Sequence, residues 1–177
     1  MARAVMDTGI PIGSICLSGH RKFPLDSHHE KIRTKSLEIM EKTIQLACRL
    51  GVRYILISGY DVYYEEPDDS TRQYFFENLL KSVEMARNKG VILAFETMET
   101  PFMDTVQKSM HYVRLINSPY LQIYPDIGNL TNASLIYQHD LYEDLKSGAG
   151  HIVADHLKET LPGHYREIPY GKGHVNF

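Results

Sequence analysis

Val91-Ile92-Leu93-Ala94-Phe95, closed by Glu96, is the stretch whose reading decides the fold. Five apolar residues in succession, with Gly90 before them and an ionisable side chain after them, suit a short strand buried on both faces, as in a parallel sheet covered by helices. Working outward, four further runs have the same character: 10–17, 52–57, 120–124 and 151–154. Long helical patterns separate them. The resulting order, β-α-β-α-β-α-β-α-β, favours parallel crossover units over hairpins. A flavodoxin-like open sheet is the structural rival. No Gly-x-Gly-x-x-Gly or P-loop pattern follows any of the runs, which weakens a nucleotide-binding reading.

The helices are marked at their ends. Ser27 stands three residues before Glu30, a capping-box spacing that predicts a helix from there to about Leu50, with Gly51 as its stop. Met40, Ile44, Ala47 and Leu50 form its inward stripe. Ser70 and Gln73 repeat the capping pattern, Leu79, Leu80, Val83 and Ala86 supply the next buried face, and Gly90 ends it. Further helices are expected near 104–117 and 134–147.

Composition narrows the class. In 177 residues, 43% hydrophobic and 23% charged residues are an ordinary globular balance, which argues against disorder. A formal net charge of −3 gives no footprint for nucleic acid or an anionic membrane, so neither is expected as a partner. No apolar run approaches a membrane span. Cys16 and Cys48 show no metal-type pairing and read as reduced core residues, and a cytoplasmic setting fits.

The chemistry lies at the strand ends. Glu96 follows the 91–95 run, Asp126 follows 120–124 and Pro125, and His156 follows the 151–154 run and Asp155. In a parallel barrel the C-terminal strand ends converge on one mouth. Two carboxylates and an imidazole meeting there would hold a divalent cation such as Mn²⁺, Co²⁺, Mg²⁺ or Zn²⁺. Each residue also has a structural reading: Glu96 pairing with a surface lysine, Asp126 capping a turn, His156 as a hydrogen-bonded structural histidine. Their shared position on successive strands favours one site over three accidents. His20 and Arg21, with Lys22, follow the first run and suit an anionic substrate group, or a solvated basic loop. Tyr60, in Tyr60-Asp61-Val62-Tyr63-Tyr64, suits a sugar pocket or a packed loop. Lys158, two residues past His156, suits a phosphate contact or a plain surface lysine, and Asn129 is a further candidate substrate contact; His28-His29 reads as an exposed helix start and not a metal site.

At these residues the sequence resembles the L-ribulose-5-phosphate 3-epimerase (L-xylulose-5-phosphate 3-epimerase) family, within the xylose-isomerase-like TIM barrels. The resemblance rests on Cys-Leu-Ser-Gly-His-Arg-Lys-Phe-Pro-Leu (16–25), Ser-Gly-Tyr-Asp-Val-Tyr-Tyr (58–64), Tyr-Pro-Asp-Ile-Gly-Asn-Leu (124–130) and Gly-His-Ile-Val-Ala-Asp-His-Leu-Lys-Glu-Thr (150–160). It implies that Glu96, Asp126 and His156 ligate a divalent metal and that Glu96 doubles as an acid/base group. A sugar phosphate would be the substrate, with pentose-phosphate metabolism and ascorbate utilisation as the setting. The family's fourth ligand, a second glutamate from the last strand, has no counterpart here. Asp155 departs from the apolar residue usual before the ligand histidine.

The same resemblance predicts a single partial barrel domain over 1–177, about five of eight β/α units, lacking two strands before it and the last strand after it. Open sheet edges and exposed apolar interior then predict a homo-oligomer or low solubility. Three rival functions remain at this point. They are an aldose–ketose isomerase on the same barrel, an apurinic-site endonuclease disfavoured by the net charge, and an inactive piece acting only in binding or assembly.

Overall fold

A computed structural model describes residues 1–177. The elements run α1 (Ala2–Thr8), β1 (Ser14–Leu17), a 3₁₀ turn (Ser18–Arg21), α2 (Glu30–Leu50), β2 (Tyr54–Ser58), α3 (Asp69–Arg87), β3 (Ile92–Glu96), α4 (Val106–Ile116), β4 (Leu121–Tyr124), α5 (Ile127–Tyr137) and α6 (Leu141–Ser147). The four strands form one parallel sheet in the order β1-β2-β3-β4. This is a partial (β/α) barrel. The fifth apolar run does not become a regular strand: it meets β4 only through single parallel bridges, Ile123 with Ile152 and Asp126 with His156. Pro125, between them, has no N–H to give to a continuous ladder.

At mid-strand β2 and β3 are buried on both faces, whereas β1 and β4 are less covered on the concave one. Ile55, Ile57, Leu93, Phe95, Leu121 and Ile123 face the helices and form the core with Met40, Ile44 and Ala47 of α2 and Phe75, Leu79 and Val83 of α3. Alternate residues line the concave face, where registration sets Cys16 beside Leu56, Leu56 beside Ala94 and Ala94 beside Gln122. This face is open along β1, so Cys16 is exposed there. Cys48 is exposed on α2, and both thiols are free, which corrects their expected core placement. The apolar runs concealed the two faces because Leu56 and Ala94 keep the concave side apolar at mid-strand.

Helix ends differ from expectation where two signals compete. The Ser27 hydroxyl donates to Glu65 Oε1 at 2.5 Å, and α2 starts two residues later, with His29 at its N-cap position and no side-chain cap. The capping box of α3 belongs to Asp68 and Thr71, two residues before the Ser70–Gln73 frame. Leu80 is exposed, and Phe75, Leu79, Val83 and Ala86 make the buried stripe. Gly51 does adopt the left-handed conformation that closes α2 (φ 70°). The segment expected as one helix over 134–147 is two, α5 beginning at Ile127 and α6 beginning after an Asp140 cap.

Candidate metal centre

Registration brings the three strand-end residues together. Glu96, the last residue of β3, lies level with Tyr124 of β4. Two residues on, Asp126 pairs with His156 through a parallel bridge: His156 N–H donates to Pro125 O at 2.8 Å, and Ile127 N–H donates to His156 O at 3.0 Å. One donor atom from each of Glu96, Asp126 and His156 lies within 4.8 Å of the others. Donors on opposite sides of an ion at about 2.1–2.4 Å can stand no more than about 4.8 Å apart, so this set fits one divalent cation.

Charges within the cluster compensate one another. His156 Nδ1 lies 3.0 Å from Glu96 Oε1, and this bond, outweighing burial, raises the imidazole above its usual value. Lys158 Nζ lies 2.9 Å from Asp126 Oδ2 and 2.6 Å from Asn129 Oδ1. Burial raises the Asp126 carboxyl in spite of that lysine. The ammonium therefore answers one of the two negative charges, and the His156 ring faces the other. Asp126 caps a helix and also lies in the cluster. Its Oδ1 accepts from Asn129 N–H at 2.9 Å as the N-cap of α5, while Oδ2 faces the cluster.

The supporting bonds are buried. Thr97 Oγ1 accepts from Asp126 N–H at 2.9 Å, and Asn129 Nδ2 donates to Thr97 O at 2.8 Å, tying the end of β3 to the start of α5. Gly128 lets the 156–160 segment pass close: a Cβ there would stand 2.6 Å from Lys158 O. The cluster opens into a cleft of about 450 Å³, also lined by Arg21, Tyr60 and Arg166. Arg21 Nη2 donates to the Tyr60 hydroxyl at 2.5 Å, and burial pushes that phenol up to about 12.

Of the eight residues singled out in the sequence, seven meet at this cleft: Arg21, Tyr60, Glu96, Asp126, Asn129, His156 and Lys158. His20 does not reach it. Its ring is buried, with Nε2 3.2 Å from Ser36 O, and burial lowers its pKa to about 4. The apolar packing of the 3₁₀ turn against α2 draws it inward. Arg166 and Glu99 were missed; they form an ion pair at the cleft rim, joining the 161–177 segment to the loop after β3. No periodic signal marks residues that lie in two irregular segments 67 positions apart.

A parallel β/α sheet with two carboxylates and an imidazole at adjacent strand ends defines a barrel-type protein with a candidate cation centre. The chain belongs to the family described as "Xylose isomerase-like TIM barrel", which matches residues 1–177. It is 44% identical over 177 residues to the L-ribulose-5-phosphate 3-epimerase UlaE of Shigella boydii, covering 100% of this chain and 61% of that protein. The chain thus spans 61% of the length of this curated relative. Among solved structures, a D-tagatose 3-epimerase-like protein superposes with a TM-score of 0.80 at 18% identity, covering 99% of this chain and 66% of the other. An L-ribulose 3-epimerase superposes at 0.77 and 20% identity, covering 99% and 58%. These two similarities bear on the fold alone. No helix is long and apolar enough to cross a membrane.

Proposed function

We propose that this chain carries the cation-holding part of the active site of a carbohydrate epimerase, one that inverts carbon 3 of a ketopentose phosphate (L-ribulose 5-phosphate / L-xylulose 5-phosphate). The observation that carries the reading is the convergence of Glu96, Asp126 and His156 within 4.8 Å at one cleft. The similarity to the UlaE epimerase narrows the reaction class.

Inverting a carbon beside a carbonyl requires removal of its proton to form an enediolate and return of a proton to the opposite face. A bound divalent ion, whether Mn²⁺, Zn²⁺, Co²⁺ or Mg²⁺, would supply Lewis-acid stabilisation of the enediolate oxygens worth several kcal/mol. Glu96 exchanges the proton on one face; the resemblance assigns the other face to a glutamate of the family's last strand. Asn129 N–H and Lys158 favour the ionised form of Asp126 against its burial. To hold the ion, His156 would exchange its contact with Glu96 for ligation through a neutral ring nitrogen. Arg21, Lys158 and Arg166 line the same cleft and supply the positive charge a phosphate needs. Tyr60 and Asn129 orient the sugar hydroxyls.

The reaction is assayed by incubating the protein with Mn²⁺ and L-xylulose 5-phosphate in D₂O and following the sugar by NMR. Deuterium entering at carbon 3, with appearance of the epimer, supports the reading. Exchange confined to carbons 1 and 2 would make the protein an aldose–ketose isomerase, and no exchange at any position would reject both. The outer edge of β1 is unpaired in the sheet, and association of copies through it is the expected oligomer. A monomer by light scattering would contradict that part.

A further inference from the structure

Asp26 is wholly buried, and neither of its carboxylate oxygens has a donor. It lies in the connection between β1 and α2, which is fixed on both sides of it. Leu25 O accepts from Asn78 Nδ2 of α3 at 2.6 Å, and the Ser27 hydroxyl donates to Glu65 Oε1 at 2.5 Å. The carboxylate is therefore not free to swing out to water.

What it faces is a second carboxylate. Asp61, in the connection between β2 and α3, lies within hydrogen-bonding reach of Asp26. Asp61 Oδ1 accepts from Val62 N–H at 2.9 Å and from the Thr71 hydroxyl at 3.0 Å. The other ionisable neighbours add no positive charge: Glu65 lies on the same connection as Asp61, and Tyr112 of α4 borders both aspartates. The nearby cations are engaged elsewhere. Arg72 lies 3.7 Å from Asp69 at the surface, and Arg33 donates to Ser27 O and His28 O over the Tyr74 ring. Two touching carboxylates with no cation between them cannot both ionise, and an uncompensated buried charge costs far more than retaining a proton.

We propose that Asp26 and Asp61 share one proton, the Asp26 O–H donating to Asp61, and that this hydrogen bond clamps the β1–α2 connection to the β2–α3 connection. The same two segments supply Arg21 and Tyr60, whose 2.5 Å bond walls the cleft. Asp26 and Asp61 are thus positioning residues for that wall, whatever reaction the cleft performs. Burial first, and Asp61 next, push the Asp26 carboxyl up to about 9. A folded-state value raised above the ordinary carboxyl value means that the folded chain holds a proton the unfolded chain has released. The clamp's contribution is complete below the ordinary value and is lost as pH rises towards about 9.

The test is infrared spectroscopy of the full chain in D₂O, combined with melting curves from pH 5 to 10. At pH 7 the parent should show a protonated-carboxyl C=O stretch that disappears as pH rises towards about 9 and is absent from Asp26→Asn. The amide introduced by that substitution still donates to Asp61 but does not titrate. The variant's melting point should therefore lie closest to the parent's at pH 5 and exceed it by a margin that widens with pH. Absence of the band from the parent at pH 7 would overturn the proposal, including in favour of a cation held between two ionised carboxylates. A melting difference constant across pH would overturn it as well. Should Asp26→Asn fail to fold, the loss of the band in the parent as pH rises decides the matter alone.

Discussion

Two pairs of buried or half-buried carboxylates are held in different ways in this fold. On the flank, Asp144 of α6 accepts from Val106 N–H at 2.9 Å and Gln107 N–H at 3.1 Å, closing the first turn of α4. Below the mouth, Glu159 accepts from Thr160, Gly171 and Val175 N–H groups and holds the 171–175 segment against the barrel. Every oxygen of these two side chains is committed to the protein's own backbone. At the mouth, by contrast, Glu96 meets only the His156 ring, and Asp126 Oδ2 meets only a lysine ammonium on a long stem. Residue type and burial alone do not separate a structural carboxylate from a ligating one. What differs here is the partner, backbone N–H groups at Asp144 and Glu159 and ionisable side chains at Glu96 and Asp126.

That contrast gives a graded set of expectations. The largest effect is at the mouth: Glu96→Gln should weaken Mn²⁺ or Zn²⁺ binding on the order of 100-fold or more in a calorimetric titration while leaving the apo melting point nearly unchanged. A metal affinity equal to the parent's would erase the distinction between the two carboxylate pairs.

Next come the two histidines, His20 and His156. Burial holds His20 near a pKa of about 4, whereas the unfolded chain protonates it near 6.5. Between those values the unfolded state binds the extra proton, so stability falls as pH drops through that window. The loss is about 3 kcal/mol at about 1.4 kcal/mol per pH unit. Denaturant melts at pH 4 and pH 7 should show this slope, and His20→Gln should reduce it. For His156 the sign is reversed. Its pKa is raised by Glu96, so the ion pair contributes fully below the unfolded value and is lost as pH rises through the folded one. Absence of a slope from His20 would mean that its ring is solvated and available to the cleft.

Smaller effects belong to the flank. Asp144→Ala should destabilise the fold by about 2 kcal/mol, because two buried N–H groups lose their acceptor, with metal affinity unchanged. Thr105→Ala, which removes the acceptor of Lys108 N–H at the same helix end, should cost about 1 kcal/mol in the same chemical melt. A drop in metal affinity in either variant would show that the flank and the mouth are one coupled unit.

The legible part of this molecule was whatever a single period or a single position announces. The apolar runs ending in Glu96 and in Tyr124 gave strands within a residue or two of those seen, and the position of Glu96, Asp126 and His156 after three runs was enough to place them at one mouth. Where two frames overlap, the choice rests on tertiary contacts that the string does not carry. Asp68-Asp69-Ser70-Thr71 offers two capping frames, and the Asp61 contact to Thr71 accompanies the one formed. Asp126-Ile-Gly-Asn has the chemistry of a turn, yet Thr97 below it fixes the backbone so that α5 starts there. His20 looked like a basic-loop residue beside Arg21, and only the proximity of Ser36 on α2 turns it inward. Arg166 has no local pattern at all.

The most direct test of the account is a comparison of melting curves with and without excess Mn²⁺ or Zn²⁺, run on the parent chain and on the Asp126→Asn/His156→Gln double variant. A ligand held only by the folded state must raise stability, by about 2.7 kcal/mol at a hundredfold excess over its dissociation constant. A saturable upward shift is expected in the parent and none in the double variant. No shift in the parent, or an equal shift in both proteins, would contradict it.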